Sequence, residues 1–279
     1  MFKKYADFLL VLVAVSWGAT FVMVQNAIKD IPAFTFLFLR FFIAFLFMYL
    51  IFYKKINFTK ETLKASVFLG IFNFGGYGFQ TLALYFSPSG IVAFLTGLFV
   101  IFTPLFSFLL FKKKAQKNAV IGAILAVTGL YFLVLSDKMN IGKGELLALI
   151  CAVFYALHVT FTDVYSKKYN IFTLVTFQFL TVAFLSLLFM PFEDLSSIHF
   201  SNQAVIAVLV TSLIATVFAF FVQTYAQQYT TPVKTAVIFA LEPVTAAFFG
   251  YFNGEILSVK QIIGGILVII AMIISEFQF

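Results

Sequence analysis

Cysteine is almost missing from this sequence. Cys151 stands alone, which excludes an intramolecular disulfide and any metal site built from clustered cysteines. Histidine is nearly as scarce: His158 and His199 are too few for a His-rich metal site. Arginine occurs once, at Arg40, and tryptophan once, at Trp17. Charge itself is rare, at 10% of 279 residues, where a soluble domain carries about 25%. No Ser/His/Asp set, metal-ligand cluster or phosphate-cradling glycine loop is evident, so an enzyme is not expected. Gly-x-Gly-Glu at 142–145 is too short for such a loop. No filter-like segment suggests a channel, and no nucleotide-binding segment suggests a self-contained ATP-driven pump. No cofactor is implied.

What fills the chain instead is apolar. Hydrophobic residues make up 63% of it, and the mean hydropathy is +1.07. No soluble fold of this length could hide that surface, so the solvent must be lipid. The net charge of +7 would suit nucleic acid, but in a membrane chain it reflects lysine in cytoplasmic loops. No nucleic-acid partner is expected.

A span needs roughly 20 apolar residues. Ten runs qualify: approximately 8–28, 34–53, 65–86, 90–111, 119–136, 145–165, 172–191, 204–227, 232–252 and 260–277. The first is read as retained, because it continues apolar past Val13-Ala14-Val15 without a clear cleavage site. With both termini in the cytoplasm, Lys3, Lys4, Lys54, Lys55, Lys60, Lys64, Lys112, Lys113, Lys114, Lys117, Lys167 and Lys168 fall inside, as does Lys234 at the inner edge of the ninth span. Only Lys29, Lys138, Lys143 and Lys260 fall outside, together with Glu193 and Asp194. The bias favours both termini inside.

The two halves repeat. Trp17–Phe42 aligns with Tyr155–Leu180, so that Thr35 meets Thr173 and Phe41 meets Phe179. Gln80-Thr81-x-Ala83 recurs as Gln223-Thr224-x-Ala226, Pro104 as Pro243, and Gly122 as Gly264. Five spans per half is an odd number, so the second half must be inverted. Inverted repeats are a hallmark of secondary transporters. The expected fold is therefore an all-α membrane protein of ten transmembrane helices in two inverted five-helix repeats, over 5–137 and 143–278.

Ser16-Trp17-Gly18-Ala19-Thr20-Phe21, Leu39-Arg40-Phe41, Ala93-Phe94-Leu95-Thr96-Gly97-Leu98 leading to Pro104, and Leu241-Glu242-Pro243 followed by Gly254-Glu255 together resemble the EamA-type members of the drug/metabolite transporter superfamily. The resemblance covers essentially the whole chain. It implies a central cavity lined by the first, third, fourth, sixth, eighth and ninth helices, with the fifth and tenth peripheral. It also implies transport of small metabolites, often amino acids and often outward. The first-half loop Lys112-Lys113-Lys114-Ala115-Gln116 lacks the Gly-Glu of the second half.

Few polar groups lie deep in these runs, and each costs at least ~2.5–3.5 kcal/mol if charged and facing lipid. Glu242 is the deepest acid, ~15 Å beyond Pro232. It reads as a site for a substrate ammonium or a coupling proton, or else as a paired structural acid. Arg40, ~10 Å deep in the second span and at loosely similar depth to Glu242, reads as a structural anchor or an outward-snorkelling cation, or else as one member of an interhelical pair or a cavity clamp for a carboxylate. His158 could relay a proton or sit satisfied in the interior. Gln80 and Gln223 could meet substrate or bond between helices, and Asn73 and Thr96 are weaker candidates. Asp163 is placed near the inner end of its span, with an interfacial role. Trp17 and Tyr77 lead the aromatic candidates, followed by Tyr85, Tyr155 and Tyr225; a cationic substrate would gain cation–π attraction from them. Gly75, Gly76 and Gly78 suggest close helix approach or a bend, and Gly122, Gly129, Gly264 and Gly265 packing surfaces. Pro104 and Pro243 suggest kinks, freeing carbonyls near residues 100 and 239.

The expected function is secondary transport of a small zwitterionic or cationic metabolite, an amino acid or related amine, across the cell membrane by alternating access. Export is the direction the resemblance implies, and the proton is the candidate coupling ion. The partners are the small-molecule substrate and membrane lipid, and the chain would act as monomer or homodimer. Uptake of a quaternary amine and multidrug efflux are the alternatives.

Overall fold

A computed structural model describes residues 5–134, 142–252 and 258–276. The expected Gly254-Glu255 pair and Lys138 lie outside the described residues. Those residues fold into thirteen α-helices with no strand among them: α1 Ala6–Ala27, α2 Ala33–Phe52, α3 Lys60–Ala83, α4 Ser89–Gly97, α5 Phe99–Phe111, α6 Lys117–Val134, α7 Lys143–Ser166, α8 Ile171–Phe189, α9 Asn202–Ser212, α10 Ala219–Ala226, α11 Pro232–Phe239, α12 Leu241–Phe252 and α13 Val259–Glu276. Helices dominate because lipid offers no partner for a bare N–H or C=O, and a helix satisfies both within one segment.

Among the described residues, seven helical runs are long and apolar enough to cross a membrane: α1, α2 with its extension to Lys55, α4–α5, α7, α8, α9–α10, and α11–α12 as far as Phe249. The other three expected spans fall on α3, α6 and α13. The length of α3 would suffice, but Asn73, Gln80 and the glycines lower its hydropathy, and it is walled in by α7 and α8. The apolar stretches of α6 and α13 are shorter, and these two helices pack on each other. There a Cβ on Gly129 would come 2.7 Å from the Gly264 carbonyl oxygen, so glycine sets their spacing.

Several details depart from the sequence reading. The fourth run breaks at Leu98, well before Pro104, which lies inside α5. The ninth breaks at Ala240, just ahead of Pro243. Ala240 N–H reaches the carbonyls of both Ala236 and Val237 at 3.2 Å, and Pro243 has no N–H to offer the Phe239 carbonyl. The repeat-related prolines thus accompany unequal breaks. Gly75 and Gly76 do not bring helix backbones together: they are sockets for the Phe154 and Tyr155 rings of α7. Between α9 and α10 the helix widens into a π-helical segment, Leu213–Phe218, which nothing in the sequence announced.

Polar ties knit the two ends of the bundle. At the end holding the start of α1, Lys234 pairs with Asp7 at 2.9 Å. Asp163, 1% exposed, receives Lys113 at 2.6 Å and Lys167 of its own helix. At the opposite end, Glu193 caps α2, accepting from the N–H groups of Phe34 at 2.7 Å and Thr35 at 2.9 Å. Ser87 Oγ donates to Glu145 at 2.6 Å, and the other oxygen of Glu145 accepts from Gly142 N–H. The Gly-x-Gly-Glu stretch is therefore a helix cap.

Asp163→Asn removes one buried charge shared by two lysines that are 46% and 40% exposed. Solvent screening of the lysines limits the loss to about 1–2 kcal/mol. A lower thermal midpoint in detergent checks this. High salt should lower the parent protein more than the variant.

Candidate functional site

One cavity lies among α1, α2, α3, α5, α7, α10, α11 and α12. Trp17 and Thr20 face it from α1, Tyr77 and Gln80 from α3, and Tyr155 and His158 from α7. Phe220 and Gln223 come from α10, Phe239 from α11 and Glu242 from α12. All six sequence candidates for substrate or coupling thus share a single wall system. Arg40 joins them from α2, although the family resemblance does not place the second helix at the cavity. The cavity holds about 50 Å³, enough to admit water.

The π-helical segment shapes one wall. Its Ala215 carbonyl accepts from Trp17 Nε1 at 2.9 Å and from Arg40 Nη2 at 3.1 Å. Thr216 Oγ1 accepts from Arg40 Nε at 2.7 Å. A π turn frees carbonyls from the α ladder, and such turns recur at functional sites. Here one freed carbonyl holds cavity residues of both α1 and α2.

Rings line much of the rest. Trp17 meets Phe239 edge-on at 4.8 Å and Phe220 at 5.6 Å. Tyr77 meets Tyr155 edge-on at 5.6 Å and lies under the Arg40 guanidinium at 4.5 Å. Tyr155 Oη donates to Gln80 Oε1 at 3.0 Å. Gln223 Nε2 donates to Gln227, which donates in turn to the Val159 carbonyl, and Gln223 Oε1 is buried without a partner among the described residues. His158 Nε2 bonds Gln178 Oε1 at 3.0 Å. That partner is an amide, which does not titrate, so a relay through it would need another acceptor.

Glu242 stands apart. Its carboxylate makes no ion pair among the described residues, and Arg40 spends its bonds on neutral acceptors instead. Helix α12 is pinned to α1 directly beside it: Thr245 Oγ1 reaches the carbonyls of Glu242 at 2.9 Å and Ala14 at 3.3 Å. Gly18 makes that crossing possible, since a Cβ there would lie 2.6 Å from the Glu242 carbonyl oxygen.

Other candidates lie elsewhere. Tyr85 is 47% exposed and accepts from the Ala33 N–H at the start of α2. Tyr225 meets Tyr229 edge-on, away from the cavity lining. Thr96 bonds back to Ala93, and Asn73 is buried within α3. Pro104 and Pro243 are absent from the lining. Sequence reasoning missed Thr20, Phe99, Phe220 and Phe239. The three phenylalanines are hidden among 42 of their kind.

Comparison with known proteins identifies the family. The EamA-like transporter family matches residues 4–135 and again 142–277. An uncharacterized transporter from Archaeoglobus fulgidus is 35% identical over 277 residues, covering 99% of this chain and 87% of the relative. The uncharacterized transporter YoaV of Bacillus subtilis is 27% identical, covering 97% and 96%. A solved crystal structure superposes with a TM-score of 0.82 at 16% identity, covering 98% of this chain and 96% of that one; that likeness speaks to the fold. The chain is a multi-pass membrane protein with a transport role, and it belongs to the EamA-like transporter family.

Proposed function

We propose that this protein is a secondary transporter that carries a small zwitterionic or cationic metabolite across the cell membrane by alternating access. The observation that carries the reading is Glu242, a carboxylate without an ion-pair partner among the described residues, facing a cavity framed by Trp17, Tyr77 and Tyr155. An acid so placed is costly in lipid unless it meets a cation or a proton. The two family matches, each covering about half the chain, support ten spans in two inverted repeats. The lysine-rich loops support cytoplasmic termini. Export of an amino acid or related amine is the leading form. The aromatic framing supports a second reading, a quaternary amine caged by cation–π contacts.

Trp17 supplies the test, because the chain has no other tryptophan and this one lines the cavity. Its fluorescence in the purified protein is to be titrated with amino acids, polyamines, choline-like cations and nucleosides. A stereoselective response to amino acids is the expected result. A response to quaternary amines alone would move the assignment to the second reading, and a response to nucleosides alone would sink both.

A further inference from the structure

We propose that Arg40 binds a carboxylate of the transported molecule, so that the cavity is built for a zwitterion rather than a simple cation. This rests on the transport reading above and adds the group that meets the anionic end.

Arg40 is 3% exposed and reaches the cavity from α2. Three acceptors hold it: Thr216 Oγ1, the Ala215 carbonyl and Tyr77 Oη, the last at 3.2 Å. All three are neutral, and no carboxylate lies within ion-pair distance among the described residues. A guanidinium has five N–H donors. The bonds from Nε and Nη2 fix its plane, while Nη1 makes none among the described residues and is not sealed from the cavity. The guanidinium is thus oriented by neutral groups and presents an unused edge.

A cation deep in a membrane protein pairs with an anion or with backbone carbonyls, and Arg40 has only the second among the described residues. Glu242 shares the cavity, yet the two form no ion pair. The π-helical segment and Tyr77 hold the cation on one wall, and the Thr245 tie to α1 holds the helix of the acid on another. Two opposite charges that face one cavity without pairing make a dipolar site. An α-amino acid places its own opposite charges close together and satisfies both ends. An amine or a quaternary ammonium ion would leave the Arg40 edge bare.

Matched ligands separate these possibilities. Trp17 fluorescence of the full-length protein is titrated with L-alanine, ethylamine and alaninamide, and with L-phenylalanine, phenethylamine and phenylalaninamide. The amino acid of each set is expected to bind about 10-fold or more tighter than its amine or amide, as suits a hydrogen bond to a charged group. Arg40→Gln should bring that ratio close to one while leaving amine binding in place. Equal binding of acid, amine and amide by the parent protein overturns the role of Arg40, while amine transport through Glu242 stands. Binding of no member of either set overturns both. The comparison within the parent protein decides the matter even if the variant does not fold, and Arg40→Lys offers a second, milder variant whose ratio should fall between the two.

Discussion

Glu242→Gln is expected to reduce flux driven by a pH gradient in proteoliposomes to the level of empty vesicles, with helicity and elution volume unchanged. Glutamine keeps the shape and most of the hydrogen-bonding reach of the side chain. It removes the two things glutamate brings to this cavity, a negative charge for an ammonium and a site for a transferable proton. The local structure should tolerate the change, because the carboxylate takes part in no ion pair among the described residues. The loss should therefore appear in transport and not in the unfolding midpoint. Counterflow, which needs binding but no net proton movement, separates the two roles. If it survives while pH-driven flux is lost, Glu242 carries the proton; if both are lost, it also meets the substrate. Unchanged flux in both assays would remove Glu242 from the mechanism.

Gly18→Leu is expected to have the largest effect on stability. A Cβ at Gly18 would lie 2.6 Å from the Glu242 carbonyl oxygen and 2.9 Å from the Ala246 nitrogen, closer still to the Thr245 hydroxyl. Two of these neighbours are backbone, so relief requires α12 to move away from α1. Overpacking of this kind costs about 1–3 kcal/mol, and leucine, with three more carbons to place, belongs at the upper end. The displaced helix carries Glu242, and the residue next to Gly18 is Trp17. The variant should therefore show a lower thermal midpoint, a red-shifted tryptophan emission and loss of flux together. Gly78→Ala is the control: a Cβ there meets Phe34 Cε1 at 3.6 Å, an ordinary contact, and should leave all three readouts near those of the parent. A Gly18→Leu protein with parental midpoint and emission would refute the tight crossing.

Much of the cavity was legible because polar side chains are scarce in this chain. In a lipid-solvated sequence each deep polar group must find a partner or a cavity, so Glu242, Gln80, Gln223 and His158 could be picked out one by one, and they converge. The alignment of Trp17 with Tyr155 likewise paired two residues that share the wall. Aromatics were harder. Tyr85 and Tyr77 carry the same chemistry, and only tertiary packing sends one to a helix cap and the other into the cavity. For Arg40 an anchor and a carboxylate clamp both stayed open, and two of its three acceptors belong to a π-helical segment whose sequence, LIATVF, has no proline, glycine or charge to mark it. The prolines pointed to freed carbonyls near residues 100 and 239, and the helices break close by, at Leu98 and Ala240; proline marks only where a donor is lost. Where the chain yields depends on what packs against it.

The cap on α2 has a consequence for how the chain is made. The N–H groups of Phe34 and Thr35 bond to Glu193, 159 and 158 positions later in sequence. On the other half, the hydroxyl of Thr173, the counterpart of Thr35, donates to the Asn57 carbonyl and accepts from the Asn57 N–H. The second half thus finishes both a helix start and a connector belonging to the first. During synthesis, at roughly 5–20 residues per second, α2 emerges well before its cap exists. Its face toward α8 waits just as long. Until the ribosome has passed residue 193, the start of α2 has no such cap, and its docking is completed only by the second half.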